Sequence, residues 1–301
     1  MVCFAPLQAF KLEGWHQYGL PPVFKRPAGA HREIKLPCGQ CIGCRLERSR
    51  QWAVRCMHEA SLYEANCFLT LTYRDHCLPN GNDLVYRHFQ LFLKRLRKRC
   101  GDGIRFYMCG EYGDLYGRPH FHACLFNYDA PDKVLYRRNR DGDNLYSSNL
   151  LSDIWQYGYA VVGNLTFKSA AYVARYVLKK RSSVNGIDPK YYDFDADGNI
   201  YCRRPEFTNM SRKPGIGAPW LRKFQTDVYP SDFIVVNGAR TRPPRFYDGI
   251  YEIVAPSDLA RIKANRVANA AKHADNNTPA RLRVREAAQQ SQVSRLKRNH
   301  E

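Results

Sequence analysis

The chain has 301 residues, 44% of them hydrophobic, enough for one large domain or two smaller ones. No apolar run is long enough to span a bilayer, and Met1-Val2-Cys3-Phe4-Ala5-Pro6 lacks the basic flank and apolar core of a secretory signal, so an intracellular protein with no membrane partner is expected. A net charge of +19 selects polyanionic partners, nucleic acid first, and eleven cysteines, an odd number, read as thiols or metal ligands and not as a disulfide framework.

Residues 1–37 are rich in Pro, Gly and aromatics without a clear period, and are expected to form an irregular arm. From Cys41 to Ala65 an apolar stripe of Leu46, Trp52, Ala53, Cys56 and Ala60 runs between arginines and predicts a helix. Phe68-Leu69-Thr70-Leu71-Thr72-Tyr73 alternates as a strand does. Tyr86 to Arg99 carries Phe89, Phe92, Leu93 and Leu96 at helical spacing and ends in a basic cluster that suits the helix dipole. Ile104 to Glu111 alternates again, and a turn over Gly113 to Pro119 returns the chain into Arg118-Pro119-His120-Phe121-His122-Ala123-Cys124-Leu125-Phe126 as a hairpin.

A loop is expected from about Tyr128 to Asp143, a short helix over Leu150 to Gly158, a strand over Ala160 to Thr166 and a helix over Lys168 to Lys180. Arg181 to Asp248 is turn-rich, and Ser257 to Glu301 is basic and helical or partly disordered, with a break at Asn276-Asn277-Thr278-Pro279. Interleaved strands and helices with a hairpin predict an α+β fold, an antiparallel sheet with helices on one face and a basic helical C-terminal tail. The expected organisation is an arm over 1–37, a catalytic domain over 38–217 that includes the Cys-rich entry, a turn-rich extension over 218–256 and the tail over 257–301.

Side chains two apart on a strand share a face, so His120 and His122 point one way while Phe121, Ala123 and Leu125 bury the other. On the neighbouring strand Arg105, Tyr107, Cys109 and Glu111 share a face, which lets Glu111 join the histidines. Two imidazoles and a carboxylate make a three-ligand set suited to Mg²⁺, Mn²⁺ or Zn²⁺ acting on a phosphate. On the helix from Lys168, the residues Ala170, Val173, Ala174, Val177 and Leu178 fall on one side. Lys168, Tyr172, Arg175, Tyr176 and Lys179 fall on the other. A phenol on a cationic face beside a metal is a candidate nucleophile for phosphoryl transfer.

Phe68-Leu69-Thr70-Leu71-Thr72, Gly110-Glu111 through His120-Phe121-His122, and Tyr172 through Lys180 resemble the three ordered motifs of HUH endonucleases that initiate rolling-circle replication. The chain resembles the replication initiation proteins of gokushovirus-type (microvirus) bacteriophages. Cys38-Gly39-Gln40-Cys41-Ile42-Gly43-Cys44-Arg45 and Met210 to Gly217 carry that resemblance further, to roughly Pro37 through Gly217.

The resemblance implies an RRM- or ferredoxin-like core. It makes Glu111, His120 and His122 the ligands of Mg²⁺ or Mn²⁺, and Tyr172 and Tyr176 paired nucleophiles that nick and rejoin single-stranded or hairpin origin DNA through a 5′-phosphotyrosine. Many relatives carry Lys three residues after the first tyrosine where this chain has Arg175, which leaves Lys179, three after Tyr176, as the proton shuttle. The resemblance also implies a host helicase and DNA polymerase as partners and the cytoplasm of a bacterial host as the place of action. A transposase or plasmid-mobilisation relaxase of the same superfamily is the near alternative. A non-catalytic, zinc-stabilised DNA-binding protein is the alternative from another class.

Cys38, Cys41 and Cys44 form C-x-x-C-x-x-C, with Cys56 and His58 one helix away, and make a candidate structural Zn²⁺ site, with unligated thiols the equal alternative. Arg175, Lys168, Lys180, Arg212 and Lys213 are candidate DNA contacts, and so are the tail cations, among them Arg281, Arg283 and Lys297. Lys213-Pro214-Gly215-Ile216-Gly217 offers backbone amides to phosphate or is a plain loop. Asp193 to Gly198 superficially resembles a calcium loop but has Arg204 where a bidentate Glu is needed, so a hairpin turn at Asp197-Gly198-Asn199 is expected.

Overall fold

The alternation around Thr70 lies at the middle of a seven-stranded, wholly antiparallel sheet. The computed structural model describes residues 3–12, 20–29, 31–113, 116–139, 142–176, 182–183, 186–187, 191–194 and 198–295. Two compact units partition the chain, one from 1–48 with 260–297, the other from 49–259 with 298–301.

In the first unit, β1 (Leu7–Leu12) pairs antiparallel with β2 (His31–Leu36), so the segment expected to be irregular carries a two-stranded ladder. Helix α1 (Ile42–Ala60) begins in this unit. The second unit holds the sheet. Its strands are β3 (Asn66–Tyr73), β4 (Arg105–Tyr112), β5 (Pro119–Phe126), β6 (Val134–Arg138), β7 (Asn144–Ser147) and β8 (Gly158–Asn164), with a late edge strand introduced below. Helix α2 (Tyr86–Cys100) follows β3, α3 (Asn149–Trp155) follows β7, and α4 (Phe167–Tyr176) follows β8. The segment expected as a loop from Tyr128 to Asp143 contains β6, an exposed edge whose sequence lacks apolar alternation.

Downstream come two small hairpins, β9 (Ser182–Ser183) with β10 (Gly186–Ile187) and β11 (Tyr192–Phe194) with β12 (Ile200–Cys202). The second of these is the hairpin expected in place of a calcium loop. Strand β13 (Phe207–Met210) then returns to pair with β4, which gives the sheet order β13-β4-β5-β3-β8-β7-β6. Short helices α5 (Ala218–Lys223) and α6 (Gln225–Val228), a hairpin of β14 (Ile234–Val236) and β15 (Ala239–Thr241), and α7 (Arg245–Val254) complete the turn-rich stretch. The tail is helical as α8 (Pro256–Ala271) and α9 (Pro279–Arg295), broken at Asp275–Asn277 where the Asn-Asn-Thr-Pro sequence predicted it. No helix among the described residues is long and apolar enough to cross a membrane.

Helices cover both faces of the sheet, not one. On the first face Leu69, Leu71, Met108, Phe121, Ala123, Leu125 and Val162 pack against Phe89, Phe92 and Leu96 of α2 and Ile154 and Trp155 of α3. On the second, Tyr107, Cys109, Cys124 and Phe126 pack against Ala53, Cys56 and Ala60 of α1 and Ala170, Val173 and Ala174 of α4. Both sets of alternating side chains in the central strands are therefore apolar over half their length, and each needs a covering layer. The second face changes character along the strands. Beyond Cys109 and Cys124 it carries Glu111, His120, His122, Thr70 and Thr72, and there the site is built.

Candidate active site

Register brings the polar residues together. Glu111 of β4 sits opposite His120 of β5, and His122 lies between Cys109 of β4 and Thr70 of β3. The turn that makes this hairpin closes with Gly113 N–H donating to Arg118 C=O at 2.9 Å, and Gly117 adopts φ +59° in it. A side chain at Gly113 would meet the His120 ring at 3.1 Å, so the small residue leaves room for the imidazole.

Helix α4 crosses this face with its apolar side, Ala170, Val173 and Ala174, wholly buried, as its periodicity predicted. Tyr172 projects towards the sheet from the flank of that stripe. Its hydroxyl donates to Glu111 Oε1 at 3.2 Å. The same oxygen lies 2.7 Å from His122 Nε2, and His122 Nδ1 is 3.0 Å from Thr70 Oγ1. Phe68 walls the group, stacked on His122 with ring centroids 5.7 Å apart and edge-on to Tyr172 at 6.3 Å.

Glu111 and His122 are 2% and 5% exposed, a depth at which an ionised carboxylate requires compensation. Glu111 Oε1 has two partners, yet Oε2 is buried with none. An orphaned carboxylate oxygen beside imidazole nitrogen is a donor set suited to a divalent cation. Ligands about 2.1 Å from an octahedral ion stand about 3 Å apart, close to the Glu111–His122 spacing. Burial, with the neighbouring His122 and the Arg118 guanidinium, pushes the His120 pKa down to about 4, so this ring is neutral at pH 7 with a lone pair to offer. The two histidine rings lie 6.4 Å apart and nearly parallel. The trio is looser than a closed metal cage: among the described residues only Cys3, Cys38, Cys41 and Cys44 gather ligating atoms within 4.8 Å of one another.

These residues line a cleft of about 360 Å³, with Arg118, Arg137 and Lys168 among its walls and the exposed Tyr116 at its edge. A space of that size admits a nucleotide. Arg118 is held by Asp75 at 2.5 Å and by the Tyr73 carbonyl at 2.9 Å, which fixes its guanidinium beside the hairpin turn.

Of the residues singled out by sequence, Glu111, His120, His122, Tyr172 and Lys168 meet in this cleft. Tyr176 and Arg175 lie in α4, but their side chains are outside the described residues, as are Lys179 and Lys180 altogether. Arg212 and Lys213 are exposed in the turn after β13, next to Pro214, whose carbonyl takes a hydrogen bond from Arg105 at the far end of β4. They do not line the cleft. Cys56 is corrected outright: it is fully buried in the sheet–helix core with Cys109 and Cys124, and the fourth member of the cysteine cluster is Cys3. Thr70, Phe68 and Arg137 were missed; the Thr70 and Phe68 signal was available, since strand alternation places both on the face of His122.

Residues 66–181, from β3 through α4, match the family model of the replication-associated protein ORF2. The chain is 32% identical over 262 residues to replication-associated protein VP4 of Bdellovibrio phage phiMH2K, covering 84% of this chain and 78% of that protein. It is 31% identical over 268 residues to replication-associated protein ORF2 of Spiroplasma virus 4, covering 82% and 79%. With replication-associated protein ORF4 of Chlamydia phage 1 the identity is 32% over 261 residues, 84% of this chain and 59% of the relative. No solved structure matches the chain significantly.

Proposed function

Because the chain belongs to the family of phage replication-associated proteins, we propose that it initiates rolling-circle replication by nicking single-stranded or hairpin origin DNA with Tyr172 and keeping the 5′ end. The observation that carries this reading is the Tyr172 hydroxyl on Glu111 Oε1, inside a cleft walled by cations.

The residues divide the work. Arg118, Arg137 and Lys168 hold backbone phosphates, and Arg175 and Lys180 extend that grip. Glu111 orients the phenolic oxygen towards phosphorus, and Thr70 fixes the His122 ring so that Nε2 faces the cleft. Glu111, His120 and His122 would hold Mg²⁺ or Mn²⁺, which supplies Lewis-acid polarisation of the scissile phosphate when bound. The phenolic oxygen of Tyr172 forms a bond to phosphorus as its proton leaves. The bond from phosphorus to the 3′ oxygen breaks, and that oxygen takes up a proton, for which Lys179 is the shuttle.

The product is a 5′-phosphotyrosine and a free 3′-hydroxyl, which a host polymerase extends in the cytoplasm of the bacterial host. Tyr176, one helical turn further on, serves the second transfer that rejoins the strand. The sequence carries no G-x-x-x-x-G-K-[ST] phosphate loop, so strand separation falls to a host helicase.

The test is a covalent adduct. Full-length protein incubated with an origin oligonucleotide and Mn²⁺ should give a protein–DNA species that survives denaturation. The pair of changes Tyr172→Phe and Tyr176→Phe should abolish it. Adduct formation by that double variant would defeat the nucleophile assignment, and no adduct from the wild type with its own phage origin would favour a DNA-binding role without catalysis.

A further inference from the structure

We propose that Cys3, Cys38, Cys41 and Cys44 form a structural zinc site that clips the extreme N-terminal segment to the start of helix α1. The proposal is independent of the nicking chemistry, since none of the four lines the cleft.

Three observations converge. First, one sulfur from each residue lies within 4.8 Å of the others, and the Cys41 and Cys3 sulfurs are 3.9 Å apart. Tetrahedral Zn²⁺ with bonds of about 2.3 Å spaces its sulfurs by about 3.8 Å. A disulfide needs about 2.05 Å, and all four thiols are free. The spacing is that of ligands around a common centre, not of a redox pair.

Second, backbone amides are aimed at the sulfurs. Gln40 and Cys41 N–H both donate to Cys38 Sγ, at 3.4 and 3.3 Å, around a turn in which Gly39 takes φ +74°. Cys38 N–H donates to Cys3 Sγ at 3.2 Å, and Phe4 N–H donates to Cys41 Sγ at 3.3 Å. A neutral thiol gains little from such donors, whereas a thiolate carrying metal charge is stabilised by each of them. The last two bonds are reciprocal between segments, so the chain around Cys3 and the chain around Cys38 and Cys41 are arranged about the sulfurs rather than merely adjacent.

Third, the burial is graded as a structural site requires. Cys3 is 2% exposed, and the other three are half-buried at the helix entry. Four soft thiolates select Zn²⁺ over the hard cations suited to Glu111 and the histidines, and a closed four-sulfur set leaves no position for water or substrate. The consequence is mechanical. The clip closes a loop of 35 residues between Cys3 and Cys38, which contains the β1–β2 ladder, and among the described residues of the 1–48 segment few other side chains are buried to hold its start.

The full-length protein purified under reducing conditions without added metal should carry one zinc per chain by plasma emission spectroscopy. Cys3→Ser and Cys41→Ser should each lower that content severalfold, and Cys100→Ser, an exposed thiol outside the cluster, should leave it unchanged. A readout independent of variants uses the wild type: stripped of metal and titrated with Co²⁺ alone, it should develop the visible bands and sulfur charge transfer of a tetrahedral thiolate site. In the zinc form, iodoacetamide should spare Cys3, Cys38, Cys41 and Cys44 while labelling Cys100 and Cys202. Absence of both zinc and a Co²⁺–thiolate spectrum would overturn the site. Full zinc retention in Cys3→Ser would overturn its fourth ligand, and a coloured iron protein would overturn the choice of metal.

Discussion

Glu111 Oε1 receives the Tyr172 hydroxyl at 3.2 Å and lies 2.7 Å from His122 Nε2, while its second oxygen, buried, has no partner. Two consequences pull in opposite directions. The arrangement orients a phenol beside a cation site, and it leaves a desolvated negative charge half satisfied. Glu111→Gln should therefore lower nicking by about a hundredfold or more, since both orientation and cation affinity depend on the charge. In EDTA the same change should leave stability unaltered or raise it by about 1 kcal/mol, because a buried unpaired charge is removed. Urea unfolding in EDTA alongside an oligonucleotide-cleavage assay checks both halves. A large loss of stability would mean that Glu111 is chiefly a structural group.

Thr70 reaches the site through His122 Nδ1. Thr70→Val keeps the shape and removes the hydrogen bond, so the ring is freer to turn. Support of this kind is typically worth about 10- to 100-fold in metal affinity. Cleavage by the variant should need more Mn²⁺ for half-maximal rate and approach the wild-type rate at saturation. A rate that stays low at every Mn²⁺ concentration would place Thr70 in substrate contact instead.

Lys168 lines the cleft at the start of α4. If it neutralises a phosphate, Lys168→Ala should weaken single-stranded DNA binding about equally for all sequences. The slope of log affinity against log salt should fall by about 0.7. Fluorescence anisotropy across a salt series gives the slope directly, and an unchanged slope would remove Lys168 from the phosphate path.

Beneath the site, Glu59 of α1 is fully buried. It lies 2.5 Å from Arg105 Nε of β4 and accepts the Gly217 N–H at 2.6 Å. One carboxylate thus joins helix, sheet and the loop entering α5. Glu59→Ala leaves a largely buried guanidinium unpaired and an amide without acceptor, and should cost about 3 to 5 kcal/mol in urea unfolding. A cost below 1 kcal/mol would show that water replaces the carboxylate.

Much of this was legible before the structure because strand geometry is so restrictive. Period-two alternation in β3, β4 and β5, with a glycine turn between the last two, was enough to put Glu111, His120 and His122 on one face. Helical period likewise separated Tyr172 from the buried Ala170, Val173 and Ala174. What escaped was non-local. Strand β13 has four half-buried residues and no pattern of its own, and becomes a strand only because β4 offers it an edge. Cys3 lies 35 residues before Cys38, outside any ligand-spacing motif, whereas Cys56 had the better spacing and proved to be a small core residue. The second helical layer was hidden because cysteines and aromatics on the His122 face did not read as a core.

The burial of His58 gives a pH dependence with a definite sign. Its ring stacks on Trp220 with centroids 3.5 Å apart, and Nδ1 lies 2.9 Å from Tyr247 Oη. Burial pushes its pKa down from 6.5 to about 4, so the folded protein binds this proton less readily than the unfolded chain does. Between those two values the unfolded state holds more protons, and stability falls as pH falls. The contribution is fully present above pH 6.5 and lost once pH drops below about 4. At about 1.4 kcal/mol per pKa unit the whole effect is about 3 kcal/mol. His58→Phe keeps the stacking and cannot be protonated. The wild type should therefore lose more stability than His58→Phe between pH 7 and pH 4.5, by about 2 to 3 kcal/mol in urea unfolding. His120, shifted in the same direction, stays in both proteins and cancels in the comparison. Parallel pH profiles for the two would mean that His58 is as easily protonated in the fold as in water.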